Sequence, residues 1–84
     1  MWYVYVLYSL SSKIFYVGMT QNIQIRLKEH NSGRSRFTSH HMPWRLIYEE
    51  EFDNSLSARK WEKYLKSAAG KRYIKRICGY WLPD

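Results

Sequence analysis

Two tyrosines, an arginine, a histidine and a glutamate carry the chemical potential of this 84-residue chain. Tyr5 and Tyr16 lie in "YVYVLYSL" and "FYVGM", Arg26 and His30 in "IQIRLKEHNSG", and Glu62 in "SARKWEKYLKS". At about 100° per residue, Ile23, Arg26, Leu27 and His30 fall in one arc of a helix. A stripe made only for packing has no use for a guanidinium and an imidazole. Either Arg26 snorkels at the stripe's edge with His30 as a boundary residue, or both face an anion. A guanidinium stays charged and forks onto phosphate oxygens.

The elements that position these residues read in the order ββαβαα. Trp2–Leu10 is rich in Tyr and Val on both parities, as in a central strand covered on both faces. "SSK" is a turn, and Ile14–Gly18 returns as a second strand. With the turn centred on Ser11 and Ser12, Tyr5 opposes Gly18 and Leu7 opposes Tyr16. Tyr5 and Tyr16 then share a face as diagonal neighbours, whereas a loop one residue longer would separate them. Packed aromatic rings are the ordinary alternative for both. Gly18, at a strand end before a helix, would admit a close backbone or phosphate approach. The first helix is expected over Thr20–Ser32, capped by Thr20 and stopped by Gly33. "GRSRFTSHHMP" is a loop, and Trp44–Phe52 a third strand with Leu46 and Tyr48 on one parity and Glu49 and Glu51 on the other. A second helix runs from Ser55 or Ser57 to Ser67 with Trp61, Leu65 and Ala68 inward. Gly70 breaks it, and Lys71–Cys78 forms a third with Tyr73, Ile74 and Ile77 inward.

Length allows one domain, residues 1–84, burying about 60–65% of its unfolded surface. The single cysteine, Cys78, excludes an intrachain disulfide and a cysteine-rich zinc site. Fourteen Lys and Arg against seven Asp and Glu give a net charge of +7, which favours a polyanionic partner, nucleic acid ahead of membrane. No apolar run is long enough to span a bilayer, and "MWYVYVLYSL" lacks the basic leader of a signal peptide. The expected compartment is the cytoplasm. Nothing in the sequence signals an oligomeric state.

"YVY" (Tyr3–Tyr5), then "YVG" (Tyr16–Gly18), then Arg26 on the following helix and a later helical Glu form an ordered set. This set resembles the GIY-YIG nuclease superfamily, in particular small stand-alone members similar to the N-terminal nuclease domain of the excinucleases. "YVGMTQNIQIRLKEHNSG", "FTSHHMPWRLIYEEEF" and "SARKWEKYLKS" extend the likeness over nearly the whole chain. The resemblance implies an α+β fold, a small three-stranded antiparallel sheet flanked by helices. It implies a DNA endonuclease dependent on Mg²⁺ or Mn²⁺, with DNA repair as an implied setting. By the same resemblance Tyr5 and Tyr16 match the two motif tyrosines and Gly18 the motif glycine. Arg26 matches the catalytic arginine and Glu62 the metal-binding glutamate, and His30 stands where some members hold a residue that assists the tyrosine base. By periodicity alone Glu62 is an exposed residue paired with Lys66, worth a few tenths of a kcal/mol.

That chemistry is coherent from below. Phosphodiester hydrolysis needs an in-line nucleophile, neutralised equatorial charge and a stabilised leaving oxygen. One carboxylate plus substrate phosphate can hold Mg²⁺. A tyrosine at its usual pKa of about 10 is a poor base. Arg26 and a cation would favour its phenolate, or His30 could take its proton. Arg34, Arg36, Arg45, Lys63, Lys66, Lys71 and Arg72 are expected on the nucleic-acid backbone. His40 and His41 read as loop residues; Trp44, Trp61 and Trp81 as packing; "EEE" as a solvated strand end away from the DNA. Two departures from the family pattern, Met19 where a lysine stands and no C-terminal asparagine, leave a catalytically inactive nucleic-acid-binding module as the rival. A protein–protein adaptor is a third reading.

Overall fold

Aromatic and β-branched residues favour a pleated surface, and the computed structural model, which describes residues 1–79, pairs the first two such runs as an antiparallel hairpin. Strand β1 is Trp2–Ser9 and β2 is Phe15–Thr20. Tyr5 opposes Gly18 and Leu7 opposes Tyr16, the register expected from a turn centred on Ser11 and Ser12. The connection is wider than a two-residue loop. The Ser9 N–H donates to Ile14 O at 2.9 Å, and Lys13 takes a left-handed φ of 58° to close it.

Helix α1 spans Ile23–Asn31 and α2, a single turn, spans Arg36–Ser39. Strand β3 is Trp44–Phe52, and helices α3 and α4 are Ser55–Lys66 and Ala68–Cys78. The α+β class and the expected element order therefore hold, with α2 added inside the segment expected as loop. The sheet order is β2-β1-β3, so β1 is central.

Four boundaries differ from expectation, each for a local reason. Thr20 stays in β2, and Asn22 caps α1 by accepting the Ile25 N–H at 3.1 Å. Gly33 does take the left-handed stop, at φ 82°. The helix break falls at Ser67, whose hydroxyl accepts the Gly70 N–H at 3.1 Å and caps α4. Gly70 therefore lies inside a helix and does not end one. Its role is steric: a Cβ there would collide with the Tyr64 carbonyl oxygen and with Leu65 Cα. Ala68, expected in the core stripe, falls instead in the first turn of α4 and is exposed.

A register shift separates Val6↔Tyr48 from Leu7↔Leu46, so β3 carries one extra residue, Ile47. Such a bulge inverts the facing of everything beyond it. Leu46 joins Tyr5 and Leu7, whereas Tyr48 joins Val4 and Val6 on the opposite face. Glu49 pairs with Tyr5 and Glu51 with Tyr3, which brings two acids to the Tyr5 face, against the expectation that "EEE" keeps clear of it. Both sheet faces are covered. Ile23 and Leu27 of α1 pack with Tyr5, Leu7 and Trp44 on one. Ala58, Leu65, Ile74 and Cys78 pack with Val4, Val6 and Val17 on the other. Leu65 and Ile74 are fully buried, each contributing about 1.5–3 kcal/mol. Trp44 and Trp61 pack in these layers, while Trp81 lies outside the described residues. Among the described residues no helix is long and apolar enough to cross a membrane.

Candidate active site

Strand alternation sends Tyr3, Tyr5 and Leu7 to one face of the central strand. The hairpin register sets Tyr16 diagonally beside Tyr5, with ring centroids 6.4 Å apart. Gly18, directly opposite Tyr5, has a specific reason to lack a side chain. A Cβ there would lie 2.5 Å from the Tyr5 hydroxyl and 2.7 Å from Cζ. The glycine thus makes room for the Tyr5 ring, in place of the backbone or phosphate approach expected of it.

Helix α1 lays its arc over this face. Ile23 and Leu27 pack into the Tyr5 cluster, and the residues between them follow. Arg26 faces Tyr5, while its Nη1 also holds Glu29 at 2.9 Å. His30 is fully buried. Its Nε2 is 3.0 Å from the Tyr5 hydroxyl and its ring is 4.8 Å from that of Tyr16, edge-on. Its Nδ1 is 3.0 Å from Thr38 Oγ1. The Thr38 hydroxyl donates to Ser35 O at 3.4 Å, so it accepts from Nδ1–H. Nε2 is then the bare acceptor of the Tyr5 O–H. Tyr5, His30 and Thr38 form one buried chain of hydrogen bonds ending on a backbone carbonyl.

Burial sets the protonation of this chain. It pushes the Tyr5 phenol up to about 12, only partly opposed by Arg26. It pulls His30 down to about 4, with the Arg26 charge acting in the same sense. Both groups are neutral at pH 7. The expectation that Arg26 favours a phenolate therefore meets a larger opposing effect, removal of the phenol from water.

Glu62 comes from α3. It is only 8% exposed, so it does not sit on a solvated helix face. Its charge reaches the Tyr5 hydroxyl and helps raise that group's pKa. Oε2 lies 3.1 Å from Lys66 Nζ and Oε1 lies 3.6 Å from Arg59 Nε. The structure thus brings Tyr5, Tyr16, Arg26, His30 and Glu62 into one neighbourhood. Among the described residues no three of His, Cys, Asp and Glu gather as a metal cage, so one buried hard-oxygen donor is what is offered. That suits Mg²⁺, which keeps its waters and is held by one or two carboxylates plus phosphate.

Arg34, Arg36, Arg45, Lys63, Lys66, Lys71 and Arg72 are the residues expected on the nucleic-acid backbone, and none of them is buried. Lys66 reaches the site through its pair with Glu62; Lys63 and Arg72 lie on the outer surfaces of α3 and α4. His41 accounts for part of "SHH", its Nδ1 lying 2.8 Å from Ser12 Oγ at the hairpin turn. Met19 opposes Val4 and packs on the face away from Tyr5. Three neighbours escape a reading of spacing: Arg59 beside Glu62, Thr38 beside His30, and Phe37, whose ring stacks toward Tyr16 at 6.3 Å. Thr38 and Phe37 lie in a stretch with no periodicity to mark them.

The model of the GIY-YIG catalytic domain matches residues 1–75. The chain belongs to the GIY-YIG family. Proteins named UPF0213 are similar along most of their length. One from Syntrophus aciditrophicus (strain SB) is 39% identical over 77 residues, covering 89% of this chain and 87% of that protein. Another, from Clostridium perfringens, is 33% identical over 76 residues, covering 89% and 81%. The solution NMR structure of a UPF0213 protein from Bacillus halodurans superposes with a TM-score of 0.56 at 30% identity, over 94% of this chain and 87% of that one. The GIY-YIG assignment carries with it a nuclease-type activity.

Proposed function

We propose that this GIY-YIG protein is a metal-dependent DNA endonuclease that hydrolyses phosphodiester bonds, its residues 1–84 acting as one nuclease domain. The supporting observation is the shared neighbourhood of Tyr5, Arg26, His30 and Glu62, drawn from β1, α1 and α3. Arg26 binds the scissile phosphate through its charged fork. Glu62 holds Mg²⁺ or Mn²⁺, which when bound supplies positive charge to the phosphate and to the departing 3′ oxygen. The attacking water gives its proton to the Tyr5 oxygen as Tyr5 passes its own to His30 Nε2. Thr38 holds His30 in the tautomer that leaves Nε2 open. A phosphate on Arg26 offsets the positive charge that opposes protonation of His30. Tyr16 orients the same phosphate, and the surface arginines and lysines hold the flanking backbone. DNA is favoured over RNA, and a lone reduced Cys78 suits a cytoplasmic protein.

One observation favours a second reading. Both Glu62 oxygens already face cations, Lys66 and Arg59, as they would in a module that binds nucleic acid without cutting it. Nicking of supercoiled plasmid with Mg²⁺ separates the two. The nuclease reading expects nicking by wild type and none by Glu62→Ala or Arg26→Ala, with DNA binding retained in the Glu62 variant. Wild type that leaves plasmid, branched and single-stranded DNA intact with either metal overturns it.

A further inference from the structure

Beside Tyr16 lies a hollow of about 270 Å³. Its floor is Phe15, Tyr16 and Val17 of β2. Phe37 of α2 forms one wall, and Lys66 and Lys71, from the end of α3 and the start of α4, form the other. β2 is an outer strand of the sheet, so no further strand covers this floor. Phe37 is 51% exposed, although a ring of that size normally finds cover. No acid lines the hollow. The larger hollow against α1, about 400 Å³, contrasts with it, since Glu49 faces in there beside Tyr3.

We propose that the Phe37 hollow is a nucleotide subsite: it takes one unstacked base of the strand being cut, on the face of Phe37, with the adjoining phosphate on Lys66 and Lys71. The inference rests on the nuclease reading for the identity of the strand and adds where that strand runs. A wet aromatic face opposed by two ammonium groups is the combination that single-stranded segments use, stacking for the base and charge for the backbone. Position supports it. Tyr16 belongs both to this floor and to the group around Tyr5, its ring 6.4 Å from that of Tyr5, so the two places share a wall. Lys66 links them a second time, lining the hollow while holding Glu62. Arg36, next to Phe37, is exposed on the same turn of helix and extends the positive border. A base lifted from its neighbours here leaves its own phosphate beside Tyr16.

The test is a thermodynamic cycle on binding, read by fluorescence anisotropy with Mg²⁺ absent so that nothing is cut. The probes are a labelled ten-nucleotide single strand and the same strand with abasic residues throughout. Phe37→Ala is expected to weaken binding of the intact strand about tenfold and to leave the abasic strand unchanged. Phe37→Trp is expected to restore the intact strand's affinity. Phe37 is half exposed and its side chain makes no polar bond, so its truncation leaves the thermal midpoint in place. Equal losses on both strands, or no loss on either, overturn the subsite; a groove that serves a protein strand at the β2 edge gives the second result. Cleavage is scored separately. A wild type that cuts nothing while the cycle holds ends the nuclease reading and keeps the subsite. A wild type that cuts while the two losses match does the reverse.

Discussion

The Tyr5 hydroxyl lies 3.0 Å from His30 Nε2, inside the protein, with neither ring reaching solvent to any extent. These residues are 25 positions apart, joined only because β1 and α1 pack face to face. On the proposed mechanism this contact is the route by which the nucleophile's proton leaves. Tyr5→Phe keeps the ring and deletes the route. Cleavage is expected to fall by about 100- to 10,000-fold. Orphaning the buried His30 nitrogen costs about 1–2 kcal/mol by urea denaturation. Unchanged single-turnover rates in the folded variant would remove Tyr5 from the chemistry.

Thr38 is expected to matter through His30. Thr38→Val leaves Nδ1–H buried without an acceptor, at about 1–3 kcal/mol in stability, and lets the ring protonate at the wrong nitrogen. Cleavage is expected to drop about tenfold, and Thr38→Ser to recover both. Nitrogen NMR of His30 distinguishes the tautomers directly, and an Nε2–H ring in wild type would contradict the assigned direction of the chain.

Acid should unfold the protein through His30. The folded ring titrates near 4 and the unfolded ring near 6.5. Between those values the unfolded chain binds the extra proton, so stability rises with pH there and is lost as pH falls from 6.5 toward 4. The size is on the order of 2–3 kcal/mol. Arg26 and Glu29 act on the ring in opposite senses, and burial outweighs both. Carboxylates titrate mainly below about 4.5. The slope between pH 5 and 6.5 therefore belongs to His30, and urea midpoints should lose it in His30→Gln.

Glu62→Gln keeps the side chain's shape and removes its charge. Cleavage with Mg²⁺ should fall by about 1,000-fold or more. DNA affinity should hold or rise, because Arg59 and Lys66 lose their acidic partner. Chelation should silence wild type, and added Mg²⁺ should revive it but not the variant. Metal-independent cutting would dissociate Glu62 from any cation.

What could be read from the residues was local or periodic. The Tyr5–Gly18 and Leu7–Tyr16 pairings follow from alternation and turn position, and the Gly33 stop from its freedom at positive φ. What escaped depends on pieces remote in sequence or on packing. Gly70 reads as a breaker until the Tyr64 carbonyl is seen where its Cβ would stand. The extra residue at Ile47 leaves no mark on composition, yet it moves Tyr48 and Glu49 to faces opposite those expected. Glu62 has the spacing of a solvated helix residue, and only the packed structure buries it. Thr38 meets His30 across a left-handed glycine and an irregular turn, where no repeat extends.

The near-touching of α3 and α4 at Gly70 has a last effect. Detaching the C-terminal helix strips Leu65 of its cover and unmoors the helix that carries Glu62. The acidic side chain and the chain's final helix thus melt as a single cooperative unit, so any fraying that reaches Ala68 loosens the acid's placement before the hairpin gives way.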